Sequence, residues 1–102
     1  MSLAIKEKDI QKAIIDYLSY TGWYVLRMPP SIYSSFKGIP DLYAVKKGVS
    51  IWIECKSPKG RLSKKQQEVI DSLKGHGAIV FVFNNIDIAL RELNRLNKRV
   101  TK

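Results

Sequence analysis

The chain has 102 residues, 45% hydrophobic and 26% charged, and its 18 lysines and arginines outnumber 9 acids for a formal net charge of +9. That fits one soluble domain, residues 1–102, whose positive charge points to a polyanion and first to nucleic acid. No apolar run approaches the ~20 residues a bilayer span needs, Met1 to Asp16 lacks the continuous apolar segment of a signal peptide, and the single cysteine, Cys55, excludes a disulfide framework or a multi-cysteine zinc site. A reducing, cytoplasmic setting with no membrane partner is the expectation.

In chain order, residues 6–21 are predicted as a helix, because Ile10, Ala13, Ile14, Tyr17 and Leu18 recur at helical spacing before Gly22. Trp23–Met28, rich in aromatic and β-branched residues, reads as a strand. Pro29–Gly38 is a loop carrying Tyr33, Phe36 and Lys37. Ile39–Val45 is a second strand, Lys46–Val49 a tight turn around Gly48, and Ser50–Lys56 a third strand. The loop Ser57–Arg61 brings Lys59 and Arg61. Ser63–Lys74 is a second helix with Val69, Ile70 and Leu73 as its stripe, and His76 follows in a turn near helix-end carbonyls. Ala78–Phe83 is apolar throughout, as suits a sheet interior. A last helix, capped by Asn85 or Asp87, is predicted to run to about Leu96, leaving the basic tail NKRVTK to fray. The order αβββαβα implies an α/β fold in which helices flank both faces of a mixed central sheet.

Three charges interrupt the apolar second and third strands: Asp41, Glu54 and Lys56. If Val45 pairs with Ser50 across the turn, Asp41 faces Glu54, and directly opposed residues have Cβ atoms about 4.5–5.5 Å apart. Two carboxylates that close repel each other. Strand alternation puts Glu54 and Lys56 on one face, while Cys55 turns to the core with Ile51 and Ile53. Two readings stand. Lys56 neutralises an acid in a structural ion-pair network, or a divalent metal ion sits between Asp41 and Glu54 with the Cys55 backbone carbonyl as a further oxygen ligand. In the second reading the metal polarises a phosphate oxygen and acidifies a water, and Lys56 orients that water or stabilises developing charge.

Two polar residues on helical stripes admit two readings each. Gln66 either completes a Ser-x-x-Gln capping box with Ser63 or looks from its stripe into the site. Glu7 either complements its helix dipole or joins the acids. Gln11, one turn on, is a boundary residue.

The sequences GIPDL and IECKSPKGRLSKKQ, with an early glutamate and an Ile-Gln pair on the first helix, resemble the PD-(D/E)xK nuclease superfamily and, more narrowly, the VRR-NUC family of virus-type replication-repair nucleases. The resemblance implies a restriction-endonuclease-like fold, with Asp41 and Glu54 as metal-binding acids, the Cys55 carbonyl as a ligand, Lys56 as the catalytic lysine, Gln66 as the motif glutamine and Glu7 as the N-terminal acid. It implies Mg²⁺ or Mn²⁺ as cofactor and DNA as substrate. The stand-alone members it is similar to are homodimers that resolve four-way (Holliday) junctions, which admits a phage-encoded protein acting in a bacterial host. Flap or nicking activity on the same fold is one alternative, and a non-catalytic basic DNA-binding module is another. Arg27, Lys37, Lys59, Arg61, Lys64 and Lys65 border the expected site and suit phosphate contacts. Tyr33 and Phe36 either stack on opened DNA or pack their own loop. Arg91, Arg95, Lys98 and Arg99 are either a second phosphate surface or the solvated side of the last helix.

Overall fold

The computed structural model describes residues 4–101. Its elements in order are helix α1 (Glu7–Tyr20), strand β1 (Tyr24–Arg27), a 3₁₀ turn (Pro30–Ser34), strands β2 (Leu42–Lys46) and β3 (Val49–Cys55), helix α2 (Lys64–Gly75), strand β4 (Ile79–Phe83) and helix α3 (Ile86–Val100). The predicted αβββαβα order is therefore observed.

The hairpin between β2 and β3 sets the frame of the sheet. Its two turn residues both have positive φ, 48° at Lys47 and 80° at Gly48. A two-residue turn of this kind matches the right-handed twist of the strands it joins. The resulting antiparallel register puts Val45 opposite Ser50 and Leu42 opposite Ile53, as the sequence predicts. Strand β1 adds antiparallel to β2, and β4 adds parallel to β3 after the α2 crossover, giving the spatial order β1-β2-β3-β4.

Alternation along β3 gives the sheet two different faces. Ile51, Ile53 and Cys55 are fully buried against Ile10, Ile14 and Leu18 of α1 and Ala89 and Leu93 of α3. Each buried Ile or Leu side chain contributes roughly 1.5–3 kcal/mol. The intervening residues, Trp52 and Glu54, face the α2 side, where Trp52 lines a cleft together with Val69 and Leu73. Helices thus flank both faces of the mixed sheet, as expected.

Two boundaries differ from the sequence reading by more than one residue. The second strand begins at Leu42 rather than Ile39. Pro40 has no N–H for the ladder, and Asp41 instead accepts the Met28 N–H on its backbone carbonyl at 2.8 Å. The last helix runs on through Val100, so the segment after Leu96 is ordered helix; residue 102 of the predicted frayed tail lies outside the described residues. The reason is Asn97, whose Oδ1 accepts from Trp23 Nε1 at 3.1 Å and from Lys46 Nζ at 2.9 Å. Val100 also packs on the core. Of the two candidate caps, Asn85 is the one used: its Oδ1 accepts the Ile88 N–H at 2.9 Å.

Candidate metal centre

Among the described residues, Glu54 is the charged residue that is buried, 1% exposed. It reaches that position because β3 carries it on the α2 side between Trp52 and Lys56, at the strand end where α2 begins. Its Oε2 lies 3.8 Å from Lys56 Nζ and accepts from Gln66 Nε2 at 3.4 Å. Its Oε1 is buried and has no hydrogen-bond partner among the described residues. Burial, then the adjacent Asp41 carboxylate, push the Glu54 carboxyl up to about 8 against the opposing pull of Lys56. A bare carboxylate oxygen in a dry site is costly.

Asp41 sits one residue before β2, next to the Leu42–Ile53 pair, and is held at both oxygens. Its Oδ2 accepts the Cys55 N–H at 2.8 Å and its Oδ1 accepts the Tyr33 hydroxyl at 3.1 Å. Burial, followed by the charge of Asp41, raises the Tyr33 phenol above its usual range, so it stays a neutral donor. Cys55 lies in the core, and burial first, then Asp41, push its thiol up, which leaves it inert as a nucleophile. Glu7, in the first turn of α1, supplies the third carboxylate. Oxygen atoms of Glu7, Asp41 and Glu54 lie within 4.8 Å of one another.

The two readings of Gln66 turn out to be compatible. Its backbone N–H bonds the Ser63 hydroxyl at 3.1 Å and its Oε1 accepts the Ser63 N–H at 2.9 Å, which closes the capping box. Its remaining amide nitrogen is the group on Glu54 Oε2. Gln11, half-buried on α1, stays at the boundary.

The basic residues divide among different surfaces. Lys37 and Lys65 flank a cleft of about 420 Å³ with Phe36, Ile39, Trp52, Val69 and Leu73. Lys59 borders a separate hollow with Ala4, Ile5 and Pro58. Arg27 lies on the α1 side, in a cleft with Lys8 and Lys12. Lys64 and Arg61 are exposed at and before the start of α2. Phe36 is 63% exposed, whereas the Tyr33 hydroxyl is occupied by Asp41. His76 caps the end of α2, with Nδ1 2.7 Å from the Ser72 carbonyl. Sequence reasoning missed the Tyr33–Asp41 bond and the cationic neighbours of Arg27. Lys8 and Lys12 are one helical turn apart and beside Glu7, a spacing that could have revealed them.

The donor set fits a hard divalent cation. All three groups are carboxylates, the preferred partners of such ions. Lys56 and Gln66 both address Oε2 of Glu54 and leave Oε1 bare, which a self-contained ion-pair network would not do. A mixed sheet that gathers three acids, a lysine and a glutamine at one end defines an α/β domain of nuclease type. The model of the VRR-NUC domain matches residues 23–85, more than half of the chain. A solved structure described as a VRR_NUC domain protein superposes with a TM-score of 0.75 at 18% identity, covering 94% of this chain and 91% of that one, which shows the shared fold. No curated protein matches the chain. The chain belongs to the VRR-NUC family.

Proposed function

We propose that the protein is a Mg²⁺- or Mn²⁺-dependent endodeoxyribonuclease that hydrolyses phosphodiester bonds in branched DNA, with the four-way junction as substrate and the homodimer as the working form. The observation that carries this reading is the buried Oε1 of Glu54, without a partner among the described residues, on a carboxylate that has an oxygen within 4.8 Å of oxygens of Glu7 and Asp41, in a chain of net charge +9.

Asp41, Glu54 and Glu7 hold the cation. The Cys55 carbonyl joins them, because in an extended residue N–H and C=O project to the same side, and the Cys55 N–H already points at Asp41. The bound cation supplies Lewis acidity to a phosphate oxygen and lowers the pKa of water. Lys56, with its side chain 17% exposed, presents its ammonium group to the attacking water and to charge building on the phosphate. Gln66 fixes the Glu54 carboxylate and leaves its second oxygen for the cation. Lys37, Lys59, Arg61, Lys64, Lys65 and Arg27 bind DNA phosphates, which gives affinity and salt dependence without sequence preference. Phe36 offers an open ring to an unstacked base. Tyr24 and Leu26, 68% and 42% exposed, supply apolar surface for a second copy.

The test is incubation of labelled four-way junction, flap, nicked and linear duplex with Mg²⁺, Mn²⁺ or EDTA. Junction cleavage that needs metal and is lost in Asp41→Asn and Lys56→Met is expected. Preferred cutting of flaps or nicks would move the substrate within the same chemistry. Binding without cleavage of any substrate would leave a DNA-binding module. Sedimentation of the free protein reads the dimer.

A further inference from the structure

The 3₁₀ turn between β1 and β2 does more than connect strands. Pro29 and Pro30 restrict its entry. The Ile32 N–H bonds the Pro29 carbonyl at 3.0 Å, the Phe36 N–H bonds the Ile32 carbonyl at 2.7 Å, and Ser34 Oγ donates to the Ser31 carbonyl at 2.8 Å. At its exit Gly38 has φ +83° and lies so close to α2 that a Cβ there would be 2.7 Å from the Lys65 carbonyl oxygen. A turn pinned at both ends presents Tyr33 from a fixed place, and its hydroxyl meets Oδ1 of Asp41 at 3.1 Å.

We infer that Tyr33 is a positioning residue for the metal centre: its hydroxyl and the Cys55 N–H together fix the plane of the Asp41 carboxylate for the cation. Resting on the nuclease reading above, this gives Tyr33 a role through Asp41 rather than through the DNA. Each carboxylate oxygen has two lone pairs, and one on each oxygen of Asp41 is taken by a donor from a different element. Held at two points, the group is restrained about its terminal torsion, and one lone pair on each oxygen is left free. Two donors also offset the repulsion among three acids. Partners of this kind around a ligand carboxylate typically matter by about 10–100-fold in metal affinity.

The deciding variant is Tyr33→Phe, which keeps the ring and removes the hydroxyl. Mn²⁺ binding to the full chain is measured by titration calorimetry and by loss of the free-ion electron paramagnetic resonance signal, with melting temperature as the check on folding. Junction binding is measured in EDTA, and cleavage across a Mn²⁺ series. The expected result is a Mn²⁺ affinity about tenfold or more weaker, unchanged junction affinity in EDTA, and cleavage recovered at high Mn²⁺. Unchanged Mn²⁺ affinity with weakened junction binding would overturn the assignment and return Tyr33 to the DNA surface. Mn²⁺ affinity and junction binding both unchanged would also overturn it, as would a cleavage loss that added Mn²⁺ does not restore. Failure of the unmutated protein to bind Mn²⁺ at all would instead take down the metal-dependent reading itself, and this inference with it.

Discussion

Glu54→Gln separates the two demands placed on the buried acid. In the metal-free protein the Glu54 carboxyl is pushed from its ordinary 4.5 to about 8 by burial and by Asp41. The folded state therefore holds a proton that the unfolded chain releases between those values. With more protons bound to the folded state, stability falls as pH rises. The contribution is whole below about 4.5, declines through the interval and is gone above about 8. At roughly 1.4 kcal/mol per pH unit, the full decline is on the order of 4–5 kcal/mol, an upper bound once the site relaxes. Because a domain of this size shifts about 4–8 °C in Tm per kcal/mol, even half of that amounts to about 10 °C. The amide is neutral throughout, so Glu54→Gln should lack this part of the slope, whatever its own packing cost. Calorimetric melting of both proteins in EDTA from pH 5 to pH 9 reads the difference directly. Added Mn²⁺ should stabilise the unmutated protein most at the alkaline end, where the acid is ionised, and the variant little. Parallel pH profiles for the two proteins in EDTA would refute the reasoning.

Three further outcomes follow from the packing. Gly38→Ala combines a left-handed φ with a Cβ 2.7 Å from a backbone oxygen of α2; a loss of about 1–3 kcal/mol in urea denaturation is expected. Asn97→Leu strips the shared acceptor from Trp23 Nε1 and Lys46 Nζ, costing about 2–3 kcal/mol, and amide exchange should show the last turns of α3 opening first. Ser63→Ala removes the cap alone, about 1 kcal/mol, while Gln66→Ala removes the return bond and the Glu54 contact; only the second should lower Mn²⁺ affinity in calorimetry.

Much of the site was legible because strands and helices repeat. Alternation put Glu54 and Lys56 on one face and Cys55 on the other, and the Gly48 turn set the register that brings Asp41 beside Glu54. Helical spacing placed Gln66 on the stripe above them. What stayed hidden belongs to segments without a period. The 3₁₀ turn gives Tyr33 no repeating neighbour to pattern against, so its bond to Asp41 across eight residues left no trace. The full length of α3 is hidden in the sequence for a different reason. Asn97 looks like a helix end when read locally, and its partners, Trp23 and Lys46, are distant in the chain. Val100, four residues beyond Leu96 on the same stripe, was the clue to the longer helix.

The double engagement of Gln66 narrows what natural drift can accept at that position. Glutamate would keep the return bond to Ser63 but set a fourth negative charge against Glu54. Asparagine is one methylene too short to span both partners, and an aliphatic side chain would forfeit each of them. A neutral amide of this reach is the solution that starts the helix and steadies the acid together. Mutational paths that improve the one at the expense of the other are closed, and the opening turn of α2 and the chemistry beneath it must change in step.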